Sequence, residues 1–121
     1  MARYVDGFVL PIPRKNAAAY RRMAQKSGKL WLEHGALEVR ECVAEDVKPG
    51  KLTSFPQSVK LANGEAVWFS WIMFKSRAHR DRVNARVMKD PRMAKMMGRG
   101  AAMPFDGKRM IHGGFEVRVD L

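Results

Sequence analysis

The chain has 121 residues, 46% of them hydrophobic, which suits one domain spanning 1–121 with a sizeable core and is too short for a multidomain assembly. No apolar run approaches the roughly 20 residues of a membrane-spanning helix, and a single cysteine, Cys42, excludes an internal disulfide. The formal charge of +11, from 23 Lys and Arg against 12 Asp and Glu, favours weak attraction to polyanions but is more often a solvated helix surface.

The N-terminal stretch RYVDGFVLPI, Arg3 to Ile12, is rich in aromatic and β-branched residues and reads as a strand stopped at Pro13. Asp6, Gly7, Pro11 and Pro13 interrupt any signal-peptide core, so the expected location is the cytoplasm. From Arg14 to His34, Ala17, Tyr20, Ala24, Ser27, Trp31 and His34 recur at three- and four-residue steps, predicting an amphipathic helix closed by Gly35. Ala36 to Ala44 alternates, with Leu37, Val39, Glu41 and Val43 on one side and Glu38, Arg40 and Cys42 on the other, as in a half-buried strand. The connection over 45–64 is long and turn-rich, a pattern that favours a functional loop or lid, with a short helical turn expected near Pro56. Glu65 to Lys75 is the most apolar run and is read as a central strand. Ser76 caps a helix through Lys89, with Arg80, Val83, Asn84 and Val87 along one face, and Asp90-Pro91 starts a shorter helix that ends at Gly98. The excess of cations over 75–99 therefore lies on helices. Arg109 to Val119 is the last predicted strand.

Strand, helix, strand, strand, helix, strand has one compact solution under right-handed crossovers. It is an α+β, ferredoxin-like βαββαβ fold, a four-stranded antiparallel sheet with both helices on one face. The first and third strands, central in that arrangement, carry bulky side chains at both parities, so the face without helices needs a cover. The expected cover is a second copy, giving a dimeric α+β barrel. With unbroken strands, the parity that tolerates polar residues is assigned to the face away from the helices: Tyr4, Asp6, Phe8; Glu38, Arg40, Cys42; Trp68, Ser70, Ile72, Phe74; and His112, Glu116, Arg118.

RYVDGFVLPIP, EHGALEVRECVAEDV, KSRAHRDRVNARVMKDPRM and MPFDGKRMIHGGFE together resemble the YbaA-like family of small bacterial proteins, of unknown function, within the dimeric α+β barrel superfamily. The resemblance runs from about Arg3 to Val119. It implies the ferredoxin-like fold and a homodimer with facing sheets, and no activity.

The residues support three readings. The leading one is a cytoplasmic homodimer binding a small organic molecule between the facing sheets, with Asp6, Arg40, Trp68, Ser70 and His112 lining the space. Catalysis is left open, and the cofactor is unknown. His112 is the candidate catalytic residue, as an acid or base oriented by Asp6 or Glu116. The second reading is RNA or other nucleic-acid binding, using the basic helices or stacking bases on Tyr4, Phe8, Trp68 and Phe74, although AVWFSWIMF lacks the basic-Gly signature of RNA-recognition strands. The third is a structural dimer without ligand. Three histidines and one cysteine without ligand spacing give no metal site. The remaining features read as architecture. Asp106-Gly107 is a turn beside Lys108 and Arg109, which have the charge to hold an anion. Gly113-Gly114 marks a bulge or a close approach, Cys42 is a small hydrophobe, Arg92 is an unassigned cation, and the methionines are core filler.

Overall fold

The computed structural model describes residues 1–97 and 103–121. Its elements are β1 (Tyr4–Pro13), a 3₁₀ turn, α1 (Ala17–Glu33), β2 (Glu38–Val43), α2 (Phe55–Ser58), β3 (Glu65–Phe74), α3 (Arg77–Lys89), α4 (Pro91–Met97), a second 3₁₀ turn (Gly107–Arg109) and β4 (Ile111–Glu116). The strands lie in the order β2-β3-β1-β4, antiparallel throughout, so the two apolar strands are central as the ferredoxin-like reading requires. Gly98 and Arg99 lie outside the described residues. Among the described residues no helix is long and apolar enough to cross a membrane.

Local chemistry sets the element ends. The Ser76 hydroxyl accepts the His79 N–H at 3.1 Å and starts α3, and the Asp90 carboxylate accepts the Arg92 N–H at 2.9 Å ahead of the first-turn proline of α4. Gly35 takes φ +117° beyond α1, a conformation that side chains with a Cβ resist. β4 is shorter than the expected Arg109–Val119 because Asp106 accepts the Lys108 N–H at 3.0 Å and winds the preceding residues into a 3₁₀ turn.

The helices cover one face of the sheet. Ile72 and Phe74 pack with Leu30, Val83, Val87 and Met93 in one buried cluster, and Leu10, Ile12 and Trp68 pack with Tyr20 and Ala24 in the other. Between these clusters one row crosses the whole sheet in register, Glu41, Ser70, Phe8 and His112.

This overturns the parity assignment for β1, β3 and β4. Asp6, Trp68, Ser70 and His112 face the helices, and on β2 alone do the outward residues Glu38, Arg40 and Cys42 stand where expected. The reason is charge matching. Asp6 is polar yet belongs under the helices because Arg80 of α3 meets it at 2.7 Å. The outward face is correspondingly apolar, formed by Val5, Val9, Phe69, Trp71, Met73 and Phe115 around Gly7 and Gly113. The long connection lies against this side, where Phe55 of α2 meets the Phe69 ring edge-on at 5.9 Å.

The Gly113-Gly114 pair produces a close approach and no bulge, since β1 and β4 pair residue for residue from Tyr4 to Val9. The Tyr4 ring lies where a Cβ on Gly114 would be, and the Phe115 ring lies over Gly7, 3.5 Å from the position of its missing Cβ.

Candidate functional site

Between the sheet and the helices lies a cavity of about 680 Å³, floored by the strands and walled by α1, α3, α4 and the segment around Phe105 and Met110. It lies where the two core clusters meet along the central row, in which Phe8 packs against both clusters and the small Ser70 leaves space. Met23, Met88, Met93, Met96, Met97 and Met110 supply much of the wall. Met93 belongs to the buried core, Met23, Met96 and Met110 pack against it, and Met88 and Met97 are more than half exposed, so the methionines serve as core filler and also border the cavity.

Two polar groups are built into this wall. On one side Arg80 donates to Asp6 at 2.7 Å and stands 4.9 Å above the Tyr4 ring, Asn84 reaches Asp6 at 3.4 Å, and the Trp31 indole N–H donates to Asn84 at 2.9 Å. Desolvation works against the Arg80 charge, but Asp6 and Asp81 outweigh it and hold the guanidinium pKa above its usual value. On the other side the Tyr20 hydroxyl donates to Glu41 at 2.8 Å, with the Tyr20 ring edge-on to Trp68 at 4.9 Å and to Phe105 at 5.5 Å. Burial, then the charge and hydrogen bond of Glu41, push the Tyr20 phenol pKa far up, so it remains a donor at any physiological pH. Solvent reaches much of Glu41, but the protein packed about its carboxyl raises that pKa, with the Tyr20 hydrogen bond acting in the opposite sense.

The five residues that the sequence singled out separate here, and they do not share a space between facing sheets. Asp6 and Ser70 line the sheet–helix cavity, and His112 borders both that cavity and the hollow of the outward face. Trp68 is 7% exposed and packs behind Tyr20 in the core. Arg40 points away, pairing with Glu38 at 3.2 Å on the exposed edge strand. His112 is not oriented by a carboxylate: Asp6 is held by Arg80, Glu116 pairs with Arg118 at 3.2 Å, and the ring stacks on Phe8 with centroids 6.3 Å apart. Tyr4, Phe8, Trp68 and Phe74 also face the helices, so they offer no open stacking platform to RNA. Arg92, unassigned by sequence, holds Glu33 at 2.7 Å and Asp90 at 2.9 Å. Arg109 is committed to both oxygens of Glu65 and to the carbonyls of Val59 and Lys60, and is not free for an anion. Cys42 is exposed on the outward side. Among the described residues no group of His, Cys, Asp and Glu is placed to hold a metal.

Sequence reasoning passed over Tyr20, Trp31, Glu41, Arg80 and Asn84. The signal was present for some: Glu41 is the one charged residue on the apolar parity of its strand, and Arg80 and Asn84 stand four apart on the inward face of their helix.

A family described as "Protein of unknown function (DUF1428)" matches residues 3–107. The chain is 50% identical over 118 residues to the "Uncharacterized protein YbaA" of Escherichia coli strain K12 and equally so to that of Shigella flexneri, covering 98% of both chains in each case. Among solved structures it is similar to a dimeric ferredoxin-like protein from an uncultured marine organism, with a TM-score of 0.63, 8% identity and full coverage of both chains.

Proposed function

The chain belongs to the DUF1428 family, and we propose that it is a cytoplasmic homodimer that binds a small, mainly apolar organic molecule in the cavity between its helices and its sheet. The observation that carries this reading is Ser70. It is 3% exposed, it lines the cavity wall, and among the described residues no hydrogen bond engages its hydroxyl. No fully enclosed side-chain polar atom among the described residues lacks a partner, so the Ser70 oxygen keeps its access through the cavity. A nearly buried hydroxyl without a partner among the described residues gains most from a ligand oxygen or nitrogen. The volume of about 680 Å³ lies within the range of small-molecule sites, and the methionine and aromatic lining suits a flat hydrocarbon body.

The homodimer rests on the outward sheet face. Phe69 is 41% exposed, Ile111 44% and Phe115 64%, a continuous apolar surface of the kind that monomers rarely leave in water. The similar ferredoxin-like protein from a marine organism is described as dimeric, which agrees with self-association. In this arrangement each subunit keeps its own sheet–helix cavity.

Calorimetric titration with 2-tetralone, a flat aromatic ketone, tests the ligand site. The parent chain takes it up, and Ser27→Phe, which projects a ring from α1 into the cavity, does not. Equal uptake by the variant contradicts the cavity as the site.

A further inference from the structure

Glu41 stands apart from the other strand carboxylates. Asp6 is paired with Arg80, Glu38 with Arg40, Glu65 with Arg109 and Glu116 with Arg118. Among the described residues Glu41 has no cation, although the chain carries 23 Lys and Arg. Its partner is the neutral hydroxyl of a buried tyrosine, which occupies one carboxylate oxygen and leaves the other without a hydrogen bond among the described residues. Directly across the β2–β3 ladder, on the same face, stands Ser70. Cross-strand partners of this kind are about 5 Å apart at Cα, and both residues line the cavity, so a carboxylate and a hydroxyl border the same stretch of its wall.

Resting on the cavity reading above, we infer that Glu41 and Ser70 form a proton-transfer site for enolisable carbonyl compounds, with Tyr20 as the residue that positions the carboxylate. The ligand's carbonyl oxygen accepts the Ser70 hydroxyl, and its α-carbon lies against the free oxygen of Glu41. That oxygen takes the α-proton as the C–H bond breaks. The released electron pair becomes the enolate double bond, and the carbonyl π pair moves onto the oxygen held by Ser70. The neutral Glu41 then returns a proton to carbon and the carboxylate is restored, so the step needs no other reactant. A carboxylate neutralised by arginine is a poor base, whereas Glu41, whose ionised form is disfavoured by the protein around it, has a greater affinity for a proton. The methionines and the rings of Phe8 and Phe105 would hold the body of the ketone.

The test is the exchange of 2-tetralone α-protons for deuterium in D₂O, followed by proton NMR, with binding measured in parallel. The parent chain is expected to exchange them faster than buffer does. Glu41→Gln, which keeps a partner for Tyr20, should fall to the buffer rate while binding and melting temperature persist. Ser70→Ala should lose about a hundredfold, the scale of one oxyanion donor. Tyr20→Phe should move the rise of the pH–rate profile to higher pH, because the hydrogen bond that favours the ionised carboxylate is gone, a change that a merely structural tyrosine would not make. Exchange by Glu41→Gln at the parent rate overturns the inference. Binding with exchange at the buffer rate also overturns it and leaves the ligand-binding reading intact. If 2-tetralone does not bind, the binding reading fails and the carboxyl ¹³C titration of Glu41 decides this one: a pKa in the ordinary glutamate range, or one that Tyr20→Phe lowers, contradicts it.

Discussion

Replacing Phe69 by threonine tests whether the outward sheet face is an interface. Phe69 sits near the middle of that face on β3 and is 41% exposed. With a phenylalanine presenting about 200 Å², some 80 Å² of apolar surface is left for a partner to bury, worth about 2 kcal/mol. A two-fold interface feels the substitution twice, so dimerisation should weaken by about 4 kcal/mol, roughly a thousandfold in the dissociation constant. Threonine preserves strand propensity. The variant does lose the edge-to-face contacts of Phe69 with Phe55 and Trp71, at 5.9 and 5.7 Å, which lowers monomer stability but has no effect on association. Sedimentation equilibrium over a hundredfold range of concentration reads the constant directly. A parent chain that sediments as a monomer, or a variant with an unchanged dimer constant, refutes the reasoning.

Arg80→Met should cost about 3 kcal/mol in urea denaturation, because Asp6 is left buried with only Asn84 at 3.4 Å, whereas Asp6→Asn should cost less, because Arg80 keeps Asp81 at 2.8 Å. The double variant Asp6→Leu/Arg80→Met should cost less than Arg80→Met alone. Asp90→Asn should destabilise the junction of α1 and α4 at neutral pH. Arg92 first, then His34, hold the Asp90 carboxyl well below the usual aspartate range, so its contribution is complete above the unfolded pKa and is lost as pH falls toward the folded one. The melting temperatures of parent and variant should accordingly converge below about pH 4, and a constant gap down to pH 2 contradicts this. Gly114→Ala should destabilise by about 2 kcal/mol through collision with the Tyr4 ring, relieved in the Tyr4→Leu background. Gly113→Ala, whose Cβ would meet Phe115 at an ordinary 3.8 Å, should be nearly neutral to packing.

The fold was legible because each element carried its own period and punctuation. Pro13 and Gly35 bracket α1 within a few residues, Ser76 caps α3 as its type implies, and the double-sided apolarity of β1 and β3 correctly placed them in the centre. The site was less legible because parity along a strand says which residues share a face and not which face it is. Asp6 and Ser70 were assigned outward for their polarity, whereas Arg80 lies seventy-four residues beyond Asp6 in the chain and no local pattern announces the pairing. The cavity itself is a deficit of volume between two packed clusters, a property of the assembled layers. Glu41 was visible as a charge on an apolar parity, but its meaning depends on Tyr20 from another element.

Methionine-methyl NMR of the ¹³C-labelled chain during titration with 2-tetralone tests the sheet–helix cavity most directly, because methionines report from both sides of the sheet. Met23, Met88, Met93 and Met110 line the cavity, and Met73 lies on the outward face. Shifts confined to the first group, with Met73 unmoved, are the predicted result. A shift of Met73 with the cavity methionines unchanged would place the ligand between the sheets and contradict the account.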